Sequence, residues 1–371
     1  MRVTILTCNT GQGHNSCAKA IQEVFDSHGD VCQIADALGF ISKGFSDLVA
    51  WGHVTMYRHF PGMFRWSYGY TERCPASFEE GAIIYRLLSS GTDRLRSFLA
   101  EGEYDTVICT HVFSAVMLTI MLKKAPMKLE TCFVDTDYTF TPGVQESRMD
   151  HYFIPDEELR QECIRCGIPP ERIVCSGIPI RQVFYRQPDR NAAKQALGIR
   201  EDTVHLLMMC GSMGCGPMEK LLDILRSRAE GICEITVVRG TNERLRRRLE
   251  RKYAAMPSVH VRGYVESIAP LMRSADLYLT KPGGISVTEA AAMELPMVFI
   301  NAVAGCEAYN GNFFRHLGGG ETGDSVEDLA SKCFQLLTDG EKRSRMRQTL
   351  AQRGTKNSAE LIYQTMSHER K

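Results

Sequence analysis

The sequence predicts an α/β protein with two domains, each built around a parallel β-sheet. Its 371 residues, of which 44% are hydrophobic, are enough for two hydrophobic cores. Short apolar segments are repeatedly followed by a glycine-containing turn and then by a segment with helical periodicity, which is typical of strand–turn–helix units with parallel strands. A second series of such units starts at Val204. Ligands of such folds bind at the carboxyl ends of the strands.

The first unit begins with the strand Arg2 to Cys8, and the turn Asn9 to Ser16 follows it. From Ser16 the apolar residues recur at helical spacing until Gly29, so we expect a helix there. Gly11 and Gly13 let the backbone of the turn approach a ligand. His14 would lie at the helix start, where the helix dipole favours a neutral imidazole that can accept a proton or a hydrogen bond. A histidine that only caps the helix is the alternative.

The same turn also imitates a dinucleotide-binding fingerprint. Gly11, Gly13 and Ser16 have nearly the required spacing, and the next strand ends at Asp36. The third glycine is missing, however, and His14 would occupy the space that a pyrophosphate needs. An NAD-dependent dehydrogenase therefore stays an alternative.

Residues 39–73 are unusually rich in aromatic side chains with basic neighbours. This composition favours a surface that dips into a lipid interface, although a small separate core is an equal alternative from the residues alone. Both tryptophans of the chain are here, and the residues that we select as candidates for acceptor or membrane contact are Trp51, Tyr57, Phe64 and Trp66.

Two further strands, Thr106 to Cys109 and Thr131 to Val134, enclose a predicted helix from Val112 to Lys124. The second strand ends in Asp135-Thr136-Asp137-Tyr138. Acidic residues at the carboxyl end of a parallel strand face the ligand edge, where a general base is useful.

A polar stretch, Arg186 to Lys194, is interpreted as the linker to the second domain. After the strand Val204 to Cys210 comes a third glycine-rich loop, with Gly211, Ser212 and Gly214, which could close over phosphate groups. Two further turns at strand ends are candidates for ligand contact, and they contain Gly240 with Asn242 and Tyr264 with Val265.

The most informative stretch runs from Leu279 to Ala290. A short strand stops at Pro282, and Gly283 and Gly284 open a helix. A helix N-terminus presents free N–H groups to a phosphate, and Glu289 one turn inside could accept hydrogen bonds from two ribose hydroxyls. This combination suggests a nucleoside diphosphate site, although from this stretch alone an ordinary strand–loop–helix turn is an equal alternative, and it is the following loop that favours the site.

A second loop of small residues follows the strand Met297 to Ile300. Parallel pairing of the two strands would place this loop beside the first one, at the same edge of the sheet. The loop contains Gly305, Cys306, Glu307 and Asn310.

Lys281-Pro282-Gly283-Gly284 with Glu289, followed by Gly305-Cys306-Glu307 and Asn310, resembles the donor site of the monogalactosyldiacylglycerol synthase and processive diacylglycerol glucosyltransferase family. More distantly, it is similar to the N-acetylglucosaminyltransferase that completes lipid II. The resemblance covers nearly the whole chain and includes the Gly-x-Gly-His turn with His14. Cys306 stands where the family usually has glutamine, and the histidine and tryptophan that usually follow the Thr-Asp-Tyr motif are missing after Tyr138.

The resemblance implies a GT-B fold, with two Rossmann-like domains whose parallel sheets face a central cleft. Residues 1–182 would be the acceptor and membrane-facing domain, residues 183–345 the UDP-sugar-binding domain, and residues 346–371 a helix that returns to the first domain. The reaction would be an inverting transfer of a hexose from a UDP-sugar to a membrane lipid such as diacylglycerol. Asp137, or alternatively His14, would be the general base.

The resemblance also assigns the donor contacts. The Gly283-Gly284 turn would hold the diphosphate, Glu289 the ribose, the backbone at Tyr264 and Val265 the uracil, and Gly305 to Glu307 the sugar. With Lys281 and Ser286 from the turn, and Gly11, Gly13 and Tyr138 on the acceptor side, these residues complete the predicted site.

Composition limits the other possibilities. A formal net charge of zero gives no reason to expect nucleic-acid binding, and the basic cluster Arg244 to Lys252 is interpreted as the outer face of a helix. Most of the fourteen cysteines lie in apolar runs, and Cys163-x-x-Cys166 has no second pair, so we expect no metal and no cofactor besides the donor substrate. No leader or membrane-spanning segment is predicted. We expect a cytoplasmic protein, peripherally attached to the inner face of the cell membrane.

Three other functions remain open at this stage. They are the dehydrogenase, a nucleotide-sugar epimerase of the same architecture, and a UDP-sugar sensor without catalytic activity.

Overall fold

The structure is a computed structural model that describes residues 1–9, 11–60, 62–63, 69, 75–186, 188–210, 217–240, 242–300, 305–354 and 357–368. The chain divides into two compact units. One comprises residues 1–182, 303–306 and 356–371, and the other comprises residues 183–302 and 307–355.

The first unit contains a six-stranded parallel sheet in the order β2-β1-β3-β4-β5-β6. Its strands are β1 (Arg2–Thr7), β2 (Val31–Asp36), β3 (Thr106–Cys109), β4 (Glu130–Val134), β5 (His151–Ile154) and β6 (Ile173–Cys175). Its helices within the described residues are α1 (Gln12–Ser27), α2 (Lys43–His59), α3 (Ile83–Ser89), α4 (Thr92–Glu101), α5 (Val112–Lys124), α6 (Arg160–Arg165) and α15 (Ser358–His368).

The second unit contains another six-stranded parallel sheet, in the order β12-β11-β10-β7-β8-β9. Its strands are β7 (Val204–Met209), β8 (Cys233–Val238), β9 (Val259–Arg262), β10 (Leu277–Thr280), β11 (Met297–Phe299) and β12 (Gly320–Thr322). Its helices within the described residues are α7 (Arg190–Ala196), α8 (Met218–Arg228), α9 (Glu243–Tyr253), α10 (Ala269–Ser274), α11 (Gly284–Ala292), α12 (Gly305–Leu317, which belongs to this unit from Glu307), α13 (Val326–Thr338) and α14 (Gly340–Arg353). The predicted α/β class with two parallel sheets is confirmed.

In both units, apolar segments of the sequence form the buried core. Strand β3 is buried along its whole length, and α5, which is apolar on all sides, is buried over most of its surface. In the second unit, Leu245 and Leu249 face the core, which leaves the arginines between them on the outer side of α9.

Two predicted boundaries differ from the structure. The stretch interpreted as the linker overlaps the start of α7, and the Lys194 side chain in that helix is buried, where it pairs with Asp276 (Nζ–Oδ2 2.8 Å). The C-terminal segment was predicted to start at residue 346, but α14 runs to Arg353 inside the second unit, where Met346 and Leu350 are buried.

In the described part of the predicted C-terminal segment, it is α15 that belongs to the first unit, where it packs against α1. The Tyr363 ring stacks on His28 with 3.8 Å between ring centroids.

Among the described residues, no helix combines the length and the apolar character needed to cross a bilayer.

Candidate active site

Helix α1 starts directly after the first glycine of the Asn9–Ser16 turn. Gly11 is its N-cap and offers no side-chain hydrogen bond. The helix begins at Gln12, four residues earlier than the periodicity predicts. Gly13 and His14 therefore lie in its first turn, at the carboxyl edge of the first sheet.

The His14 imidazole is held by backbone and side-chain groups from two neighbouring strand ends. Its Nδ1 lies 2.8 Å from the carbonyl oxygen of Thr110, after β3, and 3.0 Å from Oγ1 of Thr136, after β4. A carbonyl oxygen can only accept a hydrogen bond, so Nδ1 carries the hydrogen and, in the neutral ring, Nε2 carries the lone pair. His14 thus has the tautomer of a general base acting through Nε2. The ring of His111 packs edge-on against it, at 4.7 Å between centroids.

Asp135 and Asp137 follow β4 and have different environments. Asp135 is buried, and its Oδ1 accepts hydrogen bonds from the backbone N–H of Thr136 (2.9 Å) and from the hydroxyl of Thr141 (2.9 Å). Burial, followed by the nearby Asp137 carboxylate, raises the pKa of Asp135 to about 8. Asp135 is therefore mostly protonated at neutral pH, so Asp137 has no second full negative charge beside it.

Asp137 is half-buried, in contrast to the enclosed Asp135, and Tyr138 after it is buried. The structure thus brings Asp137, after β4, and His14, after β1, to the carboxyl edge of one sheet, in which β3 lies between these two strands.

A chain of polar side chains fixes the turn before α1. Thr7 donates to Oδ1 of Asn15 (3.1 Å), Asn15 donates to Oδ1 of Asn9 (3.1 Å), and Asn9 donates to Asp36 (3.1 Å). Ser46, in α2, donates to the same carboxylate. The aromatic segment is therefore joined at its start to the turn that carries His14.

Helix α2 has an inner and an outer face. Phe45 and Val49 pack against the core of the first unit, whereas Leu48 and Trp51 are 59% and 66% exposed. Phe60 and Met63, beyond the helix, are also exposed. Among the described residues, Trp51 therefore does not belong to a separate core.

The other three aromatic candidates come later in the sequence than Trp51. Tyr57 lies in the last turns of α2, whereas Phe64 and Trp66 are outside the described residues.

In the second unit, the glycine turn after β10 lies at the N-terminus of α11. Gly283 is the N-cap and provides no side-chain hydrogen bond, so the first N–H groups of the helix keep their capacity to bind an anion. Asn310, fully buried in α12, donates from Nδ2 to the carbonyl of Pro282 (3.1 Å). Asn310 thereby holds the turn in place.

Charged side chains next to this turn are largely buried. Lys281 Nζ lies 2.7 Å from Oε1 of Glu307, and Glu307 and Glu289 are both buried. The hydroxyl of Ser286 lies 2.9 Å from that of Tyr278, inside the core, so Ser286 has a partner within the protein. Cys306, the second residue of α12, is half-exposed.

The turns after β8 and β9 contain the remaining donor candidates. Gly240 has a φ of +62°, a conformation that glycine adopts at little cost. Oδ1 of Asn242 accepts a hydrogen bond from the N–H of Leu245 (3.0 Å), so Asn242 caps α9. Tyr264 is 66% exposed, and Val265 is half-buried.

Arg239 is buried directly after β8 and is not among the residues predicted from the sequence. A hydrophobic strand that ends in one arginine gives no signal that the arginine is enclosed.

Gly211, Ser212 and Gly214 lie outside the described residues. No group of three or more histidine, cysteine or acidic side chains in the described part of the chain could hold a metal ion.

Comparison with protein families gives two matches along the chain. Residues 14–180 match the monogalactosyldiacylglycerol (MGDG) synthase family, and residues 205–339 match the glycosyl transferases group 1 family. The processive diacylglycerol beta-glucosyltransferase of Bacillus licheniformis is 26% identical over 382 residues, which cover 97% of this chain and 93% of that protein. The protein of the same name from Bacillus pumilus is 27% identical, with the same coverage of both chains.

Solved structures share the fold at low sequence identity. MurG of Acinetobacter baumannii superimposes with a TM-score of 0.65 at 12% identity, over 99% of both chains. MnaA of S. aureus, solved with UDP, gives a TM-score of 0.64 at 12% identity and covers 100% of this chain and 97% of that one.

Proposed function

We propose that this chain, whose residues 14–180 match the monogalactosyldiacylglycerol synthase family and whose residues 205–339 match glycosyl transferases group 1, is a hexosyltransferase. It would transfer the sugar of a UDP-sugar to a membrane lipid such as diacylglycerol. The chain is a glycosyltransferase of the GT-B fold. The observation that carries the proposal is the uncapped glycine turn at the N-terminus of α11, which has a buried carboxylate one turn inside the helix.

The α11 turn suits the leaving group of the reaction. Cleavage of the bond between the sugar C1 and the phosphate oxygen leaves negative charge on UDP, and the N-terminus of α11 provides N–H groups and positive potential where this charge develops. Glu289 accepts hydrogen bonds from the ribose hydroxyls. Lys281 and Glu307 form a paired donor and acceptor for the sugar hydroxyls. A helix N-terminus can stabilise the leaving diphosphate in place of a metal ion.

Asp137 is the proposed general base, and His14 is the alternative. As the acceptor oxygen bonds to C1 with inversion, its proton passes to the base. Asp137 is supported because it is the half-buried member of the pair at the ligand edge, whereas burial raises the pKa of its neighbour Asp135 to about 8. His14 is supported by its tautomer, with the lone pair on Nε2. The residue that is not the base orients the hydroxyl group.

The outer face of α2 is proposed to touch the membrane that contains the acceptor. Leu48 and Trp51 are exposed three positions apart, on one side of the helix. Exposed tryptophan with nearby basic residues fits the headgroup region of an anionic bilayer. The protein would attach peripherally to the inner face of the cell membrane.

The function is tested with radiolabelled UDP-glucose, UDP-galactose and UDP-N-acetylglucosamine and vesicles that contain diacylglycerol. One donor is expected to give a labelled lipid that depends on the vesicles. Donor conversion without vesicles would indicate an epimerase instead. UDP binding with no product from any donor would indicate a sensor, and preferential binding of NADH would indicate a dehydrogenase.

A further inference from the structure

Asp135 is a buried side chain that takes no direct part in the proposed reaction. Its backbone is fixed to the first sheet, because its N–H donates to the carbonyl of Phe153 in β5 (2.9 Å). The residue is only 4% exposed. A polar group is costly to bury unless hydrogen bonds compensate for the lost water, so the partners of the Asp135 carboxyl group indicate what it is used for.

These partners are the two ends of the segment that carries Asp137. At the start of the segment, Oδ1 of Asp135 accepts hydrogen bonds from the N–H of Thr136 (2.9 Å) and, at a longer distance of 3.4 Å, from the N–H of Asp137 itself. At its end, the same oxygen accepts a hydrogen bond from the hydroxyl of Thr141 (2.9 Å). Residues 136–141 are therefore closed into a loop by one oxygen atom, and that oxygen belongs to a residue fixed to the sheet.

The chain is also held directly after this loop. Gly143 has a φ of +94°, a conformation that glycine adopts at little cost. An added Cβ would lie 2.8 Å from the ring of Phe78, which belongs to the core of the first unit. Glycine thus lets the backbone lie directly on the Phe78 ring, and the loop is fixed on both sides.

Thr136 connects the loop to His14. Its hydroxyl lies 3.0 Å from Nδ1 of His14, and its backbone N–H is the group that Asp135 binds. The position of the Thr136 hydroxyl beside the imidazole therefore depends on Asp135. Asp135 thus contacts Asp137 directly and His14 through one intervening residue, and these two are the candidates for the general base.

We propose that Asp135 is a positioning residue for proton removal, which holds Asp137 and, through Thr136, His14 in the orientation that proton transfer needs. A general base must lie within hydrogen-bond reach of the acceptor hydroxyl, and a displacement of about 1 Å can cost about 100-fold in rate. In this role Asp135 acts through its neighbours and needs no contact with the substrate. The inference rests on the proposed function, because it assumes that a hydroxyl group loses its proton at this edge of the first sheet.

Thr141→Val tests this role without altering Asp135, Asp137 or His14. Valine has nearly the shape of threonine but cannot donate, so the end of the loop loses its hydrogen bond to Asp135. The single-turnover rate at saturating UDP-sugar should fall about 10- to 100-fold, while the UDP affinity measured by calorimetry stays at the wild-type value. Thr141→Ser keeps the hydroxyl and should recover most of the rate.

Thr131→Val is the matched control. The hydroxyl of Thr131 donates to Oδ2 of Asp150 (2.6 Å) at the opposite end of β4, so this variant removes the same kind of threonine–aspartate hydrogen bond far from the loop. Its single-turnover rate should stay at the wild-type value. The inference is wrong if Thr141→Val is no slower than Thr131→Val, or if Thr141→Ser is as slow as Thr141→Val.

The imidazole nitrogen resonances of His14, identified by their absence in His14→Ala, provide a readout that needs no substrate. Asp135→Leu removes the acceptor of the Thr136 N–H and should shift the Nδ1 resonance, whereas Asp135→Asn can keep this acceptor and should shift it less. An unchanged resonance in Asp135→Leu would overturn the inference. If the wild type transferred no sugar from any donor, the proposed function would be refuted, and the resonance would still decide whether Asp135 positions His14.

Discussion

Replacement of Asp135 by asparagine should stabilise the first unit, and the stabilisation should be larger at neutral pH than in mild acid. Asp135 is buried, and burial raises its pKa from the ordinary 3.8 to about 8. Between these two values the folded state binds a proton that the unfolded state releases, so stability decreases as pH rises. Asparagine has a similar shape and can keep Oδ1 as the acceptor for Thr136 and Thr141, but it does not titrate.

The size of the effect follows from the pKa difference. At 1.36 kcal/mol per pH unit, the carboxyl group lowers the unfolding free energy by about 5 kcal/mol at pH 7.5 and by about 1.5 kcal/mol at pH 5. The stabilisation by Asp135→Asn should therefore grow by about 3 kcal/mol between these two pH values. Any fixed change in hydrogen bonding affects both values equally and drops out of this difference.

Urea unfolding followed by tryptophan fluorescence is a suitable assay, because both tryptophans, at positions 51 and 66, lie in the first unit. Asp150→Asn is the control. Asp150 accepts hydrogen bonds from Thr131 at the opposite end of β4, and its replacement should give no stabilisation at pH 7.5. A stability difference for Asp135→Asn that is the same at both pH values would refute the reasoning.

Three further predictions concern binding and catalysis. Glu289→Ala should weaken UDP binding through loss of a charged hydrogen bond of about 1.5–3 kcal/mol, and unchanged affinity in calorimetry would remove Glu289 from the ribose site. Asp137→Asn should lower the single-turnover rate about 10²–10⁴-fold with donor affinity retained. His14→Ala should cost less, and a larger loss in His14→Ala would make His14 the base. Replacement of Trp51 and Trp66 by alanine should reduce co-sedimentation with anionic vesicles more than UDP binding, and equal retention on vesicles would argue against membrane contact.

The strands of the sheets can be predicted well from the sequence, because their positions depend on which segments are buried. Strand β3 and helix α5 have the predicted ends, since an apolar segment that is buried on all sides can be recognised from composition. The start of α1 could not be predicted in this way. Gly11 and Gly13 are poor helix formers. The first turn also carries His14, which is held by a hydrogen bond to Thr110, 96 residues away in the sequence.

The residues that the sequence misses depend on tertiary contacts of charged groups. Lys194 looks like part of a polar linker, but its ammonium group is buried against Asp276. Arg239 looks like the polar end of a strand, but the turn at Gly263 covers it. Charged residues are normally exposed, so sequence patterns assign such side chains to the surface, and only the fold shows the exceptions.

The glycine turns before α1 and α11 have the same backbone arrangement but suit two different kinds of chemistry. Both place an uncapped helix N-terminus at the carboxyl edge of a parallel sheet, and both could bind an anion through backbone N–H groups alone. The first turn of α11 contains no titratable side chain, so its potential is fixed and suits a diphosphate at any physiological pH. The first turn of α1 contains His14, whose Nδ1 hydrogen is committed to the carbonyl of Thr110, which leaves a basic nitrogen where α11 offers only N–H donors. In the proposed reaction, the first unit would supply the proton acceptor and the second unit would stabilise the charge of the leaving diphosphate.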